Sequence, residues 1–140
     1  MKIVREPKVA GMFYPSSKTE LEKTINTFFD NVNLDSNYEN VKGIISPHAG
    51  YSYSVQTAAY GVKTIINKKI KNVILISPSH REYFPGISIY NGTAYKTPLG
   101  EIEINKELSN SFAEKSNLIF GDGTNVISFV KAFLWCNSSD

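Results

Sequence analysis

Two short apolar runs in this chain end alike, and that repetition limits the folds open to it. Gly43-Ile44-Ile45 runs into Ser46-Pro47-His48, and Ile74-Leu75-Ile76 runs into Ser77-Pro78-Ser79-His80. His48 and His80 are the chain's two histidines, 32 residues apart. A continuous apolar strand suits a parallel sheet covered on both faces. Proline closes such a strand because it cannot donate to the ladder. Val41 to Ser46 and Asn72 to Ser77 are therefore expected strands. Between them, Val55 to Asn67 has helical spacing, with Ala58, Ala59, Val62, Ile65 and Ile66 on its apolar side. Strand, helix, strand makes a βαβ unit, with a right-handed crossover and parallel strands. The expected fold class is α/β, with a mostly parallel central sheet and flanking helices.

The other segments carry local signals. Ala10-Gly11-Met12-Phe13-Tyr14-Pro15 reads as an ordered, non-helical lead-in whose Phe13 and Tyr14 pack on the core. Ser17-Lys18-Thr19-Glu20 fits a capping box, and Leu21, Ile25, Phe28 and Phe29 recur at helical spacing up to about Asp30. Residues 31–40 are rich in Asn, Asp and Ser and read as a surface loop. Gly86 to Tyr90 alternates as a strand, followed by the turn dipeptide Asn91-Gly92. Thr97-Pro98-Leu99-Gly100 is a further turn, and Glu101-Ile102-Glu103-Ile104 a half-exposed strand. Asn105 caps a helix expected to run to about Lys115. Gly121-Asp122-Gly123 reads as a turn, and Ile127 to Trp135 is apolar without clear period.

Composition excludes several function classes. With 140 residues, one domain is the natural reading. A net charge of +2 leaves no basic footprint for nucleic acid. No apolar run approaches the ~18 residues of a membrane span. The charged start Met1-Lys2-Ile3-Val4-Arg5-Glu6 does not fit a signal peptide. A single cysteine, Cys136, makes no internal disulfide, so a cytoplasmic, reducing location is expected. There is no Walker-type loop and no G-x-S-x-G elbow.

The histidines carry the chemistry. Ligands in open α/β sheets bind beyond the carboxyl ends of the strands, and neighbouring strand tips sit about 5 Å apart. If both runs are neighbouring strands, both imidazoles converge on one crevice. Two neutral imidazoles plus a carboxylate or thiolate would bind Zn or Fe(II). Two other roles stay open: anion binding with Arg81, or general-base work by one histidine. Tyr51, Tyr53 and Tyr83 lie near these loops and could shape a pocket.

These segments resemble the Memo family, whose prokaryotic members are labelled AmmeMemoRadiSam system protein B. The resemblance is carried by Ala10-Gly11-Met12-Phe13-Tyr14-Pro15, by Lys42 to Tyr53 with its Pro47-His48-Ala49-Gly50-Tyr51 core, and by Thr57-Ala58-Ala59-Tyr60. It continues through Ile74 to Arg81, Gly86 to Ile89 and Thr97-Pro98-Leu99-Gly100. It implies a fold similar to class III extradiol dioxygenases. It also implies a non-haem pocket for Fe(II), with Zn or Cu as other occupants, in which His48 and His80 are metal ligands. Tyr51 and Arg81 are the candidate ligand-binding residues. The family also implies a small-molecule or phosphotyrosine-type peptide ligand, and a functional link to AMMECR-type and radical SAM proteins.

In the family, a later half supplies a further histidine and a cysteine. Residues 1–120 are expected to be the N-terminal part of a Memo-like domain, with the C-terminal half missing. Residues 121–140 do not match the family, through truncation or a shifted reading frame, and an inactive fragment is the alternative expectation that follows. One codon choice for Lys131-Ala132-Phe133, read one base later, gives Lys-His-Ser, close to a Glu-His-Ser segment of the family. Cys136 does not match the family cysteine in context.

Overall fold

The computed structural model describes residues 2–80, 83, 86–115, 119–121 and 127–131, the last two stretches as backbone. The elements in chain order are β1 (Val4–Arg5), α1 (Lys18–Asp30), α2 (Tyr51–Lys63), β2 (Asn72–Ile76) and β3 (Ser88–Tyr90). They continue with β4 (Ala94–Thr97), β5 (Gly100–Glu103), α3 (Lys106–Lys115), β6 (Ile119–Gly121) and β7 (Ile127–Lys131). The described residues form two compact units: 8–69, and 2–7 together with those from 70 onward.

The unit of residues 8–69 is helical. Ser17 caps α1, its Oγ accepting from the Glu20 N–H at 3.5 Å, as the capping signal predicts. Leu21 of α1, Val32 just after it, and Ala59 of α2 are buried. α1 and α2 pack together, and polar bonds also tie them. Gln56 Nε2 donates to the Phe28 carbonyl at 3.3 Å, and Lys63 Nζ donates to the Phe29 and Val32 carbonyls at 2.7 and 2.8 Å.

The other unit holds all the named strands. β1-β4-β5 form one sheet, in which β1 and β4 run parallel and β4 and β5 antiparallel. The Thr97-to-Gly100 turn joins β4 to β5 as predicted; Leu99 N–H donates to Thr97 Oγ1 at 3.1 Å. The second sheet has the order β2-β7-β3-β6, with β2 antiparallel to β7 and β3 parallel to both β7 and β6. Ile89 is fully buried and packs with Ala113 of α3 and with Ile87. Tyr90 and Ile104 form a second core with Val73, Tyr95 and Ile102. Asn105 caps α3 as expected, its Oδ1 accepting from the Leu108 N–H at 3.1 Å.

The chain is thus α/β, but three expectations are corrected. Residues 41–46 are not a strand: they run as coil, with Ile45 wholly exposed. Among the described residues their own unit holds no strand that could supply a ladder, and an apolar run without a ladder partner has no reason to stay extended. The βαβ unit therefore does not form. The sheets are mixed rather than mostly parallel. β4, which follows Asn91-Gly92, was not foreseen; the dipeptide turns the chain from one sheet to the other, not into a hairpin.

Candidate functional site

The loop that carries His48 leads directly into α2. That helix starts at Tyr51, four residues before the apolar spacing suggested, with Gly50 at its N-cap and no side-chain cap. The loop before the helix and its first N–H are held by other means. Tyr51 N–H donates to the Phe13 carbonyl at 2.7 Å. Ser54, buried, donates its hydroxyl to the Ala49 carbonyl at 2.8 Å. Phe13 lies beside Gly50, where a Cβ would meet its Cα and carbonyl oxygen at an ordinary contact distance of 3.6 Å.

Phe13 belongs to a tight turn. Gly11 N–H donates to the Tyr14 carbonyl at 2.7 Å, and Phe13 N–H to the Val9 carbonyl at 2.9 Å. Gly11 has φ +82°, a conformation that favours glycine. The motif at 10–15 and the motif at 47–51 are therefore docked on one another. The Tyr14 and Tyr51 rings meet at 5.7 Å, tilted by 46°. Burial raises the pKa of both phenols, and the charge of Tyr14 raises that of Tyr51 further. Both are neutral hydrogen-bond donors at pH 7. Tyr14 is half-buried as foreseen, whereas the Phe13 side chain is exposed. Tyr14 is not among the sequence-derived candidates, because nothing in the sequence pairs its segment with the 47–51 loop.

His48 is exposed and lies in the helical unit with Tyr51. His80 is also exposed and follows β2 in the other unit. The repeated Ser-Pro sequence gives repeated local structure. Ser46 Oγ donates to the Pro47 carbonyl at 3.2 Å, and Ser77 Oγ donates to the Pro78 carbonyl at 3.3 Å. Only His80 follows a strand, so the two histidines do not stand at neighbouring strand tips as expected. Arg81 and Cys136 lie outside the described residues. Tyr53 and Tyr83 are almost fully exposed. Two open hollows, of about 500 and 440 Å³, lie where the 33–44 loop meets α2; Tyr38, Gly61 and Thr64 line both, and His48 lines neither.

Imidazole is a suitable donor for Zn or Fe(II). Among the described residues, however, no group of three or more His, Cys, Asp or Glu is gathered that could hold a metal ion. Those residues alone do not form a metal centre. No helix among them is long and apolar enough to cross a membrane.

An α/β protein with mixed sheets and a motif-built helix start is a broad class; comparison with known proteins narrows it. Residues 5–127 match the family described as Memo-like protein. A MEMO1 family protein of Nitrosopumilus maritimus is 38% identical over 121 residues, covering 84% of this chain and 44% of that protein. A MEMO1 family protein of Thermoplasma volcanium is 38% identical over 120 residues, covering 86% and 44%. The memo-1 homolog of Caenorhabditis elegans is 33% identical over 108 residues, covering 74% and 30%. The chain belongs to the Memo family. It spans less than half the length of these curated relatives.

Proposed function

We propose that His48 and His80 are two donors of a Memo-type, dioxygenase-like metal pocket whose remaining donors lie outside the described residues. The observation that carries this reading is the paired Ser-Pro arrangement. Two histidines follow apolar runs, each preceded by a serine that bonds the next proline carbonyl, and both stand inside the family match. The pocket would hold Fe(II), or Zn or Cu. Tyr51 contributes a neutral phenol that donates to an oxygen of the bound ligand, and Arg81 attracts anionic ligands.

Metal analysis of the anaerobically purified protein tests the proposal. Fe, Zn or Cu should co-purify, and His48→Ala and His80→Ala should each lower the content. Unchanged metal in both variants removes the reading. A phosphotyrosine peptide that binds in metal-free buffer would instead favour a non-catalytic binding module.

A further inference from the structure

His48 stands two residues before the N-cap of a helix that has no side-chain cap. A helix start of this kind leaves its first N–H groups open unless something else meets them. Here the turn at 9–14 does so, through the 2.7 Å bond from Tyr51 N–H to the Phe13 carbonyl. On the other side, the Ala49 carbonyl, directly after His48, is held by Ser54 Oγ at 2.8 Å. The backbone is thus fixed at 49 and at 51. The turn and the helix also meet through side chains, the Tyr14 ring lying against the Tyr51 ring with centroids 5.7 Å apart.

We propose that Tyr14 is a positioning residue for His48. By packing on Tyr51 it holds the turn at 9–14 against the start of α2, and so fixes the backbone from which the His48 imidazole is presented to a metal ion. The presentation to metal rests on the function proposed above; the positioning itself does not. Two motifs that are far apart in the chain then serve one purpose. The first builds a rigid seat, and the second sits in it with the histidine at its exposed end.

The test uses the whole chain, isotope-labelled, with Tyr14→Ala and Tyr14→Phe. In Tyr14→Ala the Tyr51 amide should exchange with solvent about tenfold faster, and the His48 imidazole signal should shift. The Leu108 amide, held by Asn105 Oδ1 in the other unit, serves as the control and should keep its rate. Tyr14→Phe keeps the ring and should restore both readings. Should Tyr14→Ala fail to fold, Tyr14→Leu removes the ring and keeps an apolar side chain. Zinc added to the wild type should shift the His48 signal, and Tyr14→Ala should weaken that response about tenfold. An unmoved His48 signal in the ring-less variant overturns the proposal. So does an equal rise in exchange at Tyr51 and Leu108, which would mean general loss of stability. If His48 shifts with Tyr14 but zinc has no effect on the wild type, positioning stands and the metal reading fails.

Discussion

Lys63 of α2 closes the end of α1, its Nζ lying 2.7 Å from the Phe29 carbonyl oxygen and 2.8 Å from that of Val32. The last carbonyls of a helix have no partner within it, and a cation there also meets the negative end of the helix dipole. Lys63→Met keeps the length of the stem and removes the donor. It should lower stability by about 2 kcal/mol in urea unfolding. Lys63→Arg, which keeps charge and donors, should recover part of that. Equal stability of the Met variant and the wild type would show the bonds to be worth nothing.

Gly61 sets how closely the 41–44 segment lies on α2. A Cβ at Gly61 would fall 2.7 Å from Ile44 Cγ2, which is fixed to the branch point of its side chain. Alanine gains about 1 kcal/mol in helix propensity over glycine, yet the overlap forces the segment outward. Gly61→Ala should therefore be a net loss of about 1 kcal/mol. Ile44→Ala removes the clashing methyl, so the double variant should be more stable than the sum of the singles predicts. Simple additivity would contradict this contact.

Gly92 makes room for a ring. Tyr90 is buried, stacks on Tyr95 at a centroid distance of 4.8 Å, and would overlap any Cβ added at Gly92. Gly92→Ala must move the Tyr90 ring out of its core. A loss of about 3 kcal/mol is expected, with a changed tyrosine signal in near-ultraviolet circular dichroism. An unaltered spectrum would show that the ring is not held as described.

The Tyr14 and Tyr51 pair predicts a limit on the alkaline side. Both phenols have pKa values raised above 10.0, chiefly by burial. The folded state therefore holds its phenolic protons more tightly than the unfolded chain. The stabilisation is complete below the ordinary tyrosine value and is lost as pH rises through the raised ones. Tyr51→Phe should flatten this alkaline decline in thermal midpoint. In absorbance titration of the eight tyrosines, the late-titrating fraction should shrink in the same variant. A decline identical to that of the wild type would refute the assignment.

β2 predicts self-association. Ile74, Leu75 and Ile76 are 55, 51 and 76% exposed, and among the described strands β2 stands at an edge of its sheet. Exposed apolar edge strands recruit other strands. Leu75→Lys should reduce association in sedimentation experiments, while unfolding stability changes by no more than about 0.5 kcal/mol. Association that is indifferent to the charge would place the contact elsewhere.

What could be read from the chain was whatever local chemistry decides. Ser17 and Asn105 are caps whose side chains act within three residues, and both stand where the sequence placed them. The Thr97-to-Gly100 turn is equally local. Residues 41–46 show the opposite case: the same apolar run forms a strand only where another strand lies beside it, and no pattern within the run says whether one does. The early start of α2 was hidden for a similar reason, since its missing cap is replaced by a carbonyl from Phe13. Of the candidate site, the two histidines could be picked out by their context. The contact between Tyr14 and Tyr51 could not, because it joins segments that nothing in the sequence pairs.

The borrowed start of α2 also bears on the order of events in folding. A helix with its own cap can nucleate early, from contacts a few residues long. α2 must wait at its first turn until the chain has closed the long loop back to Phe13, and loop closure costs entropy before it returns any contact. Its C-terminal turns can form sooner. Substitutions at Tyr14 should then speed unfolding and leave the folding rate nearly unchanged, the pattern of a contact made after the rate-limiting barrier.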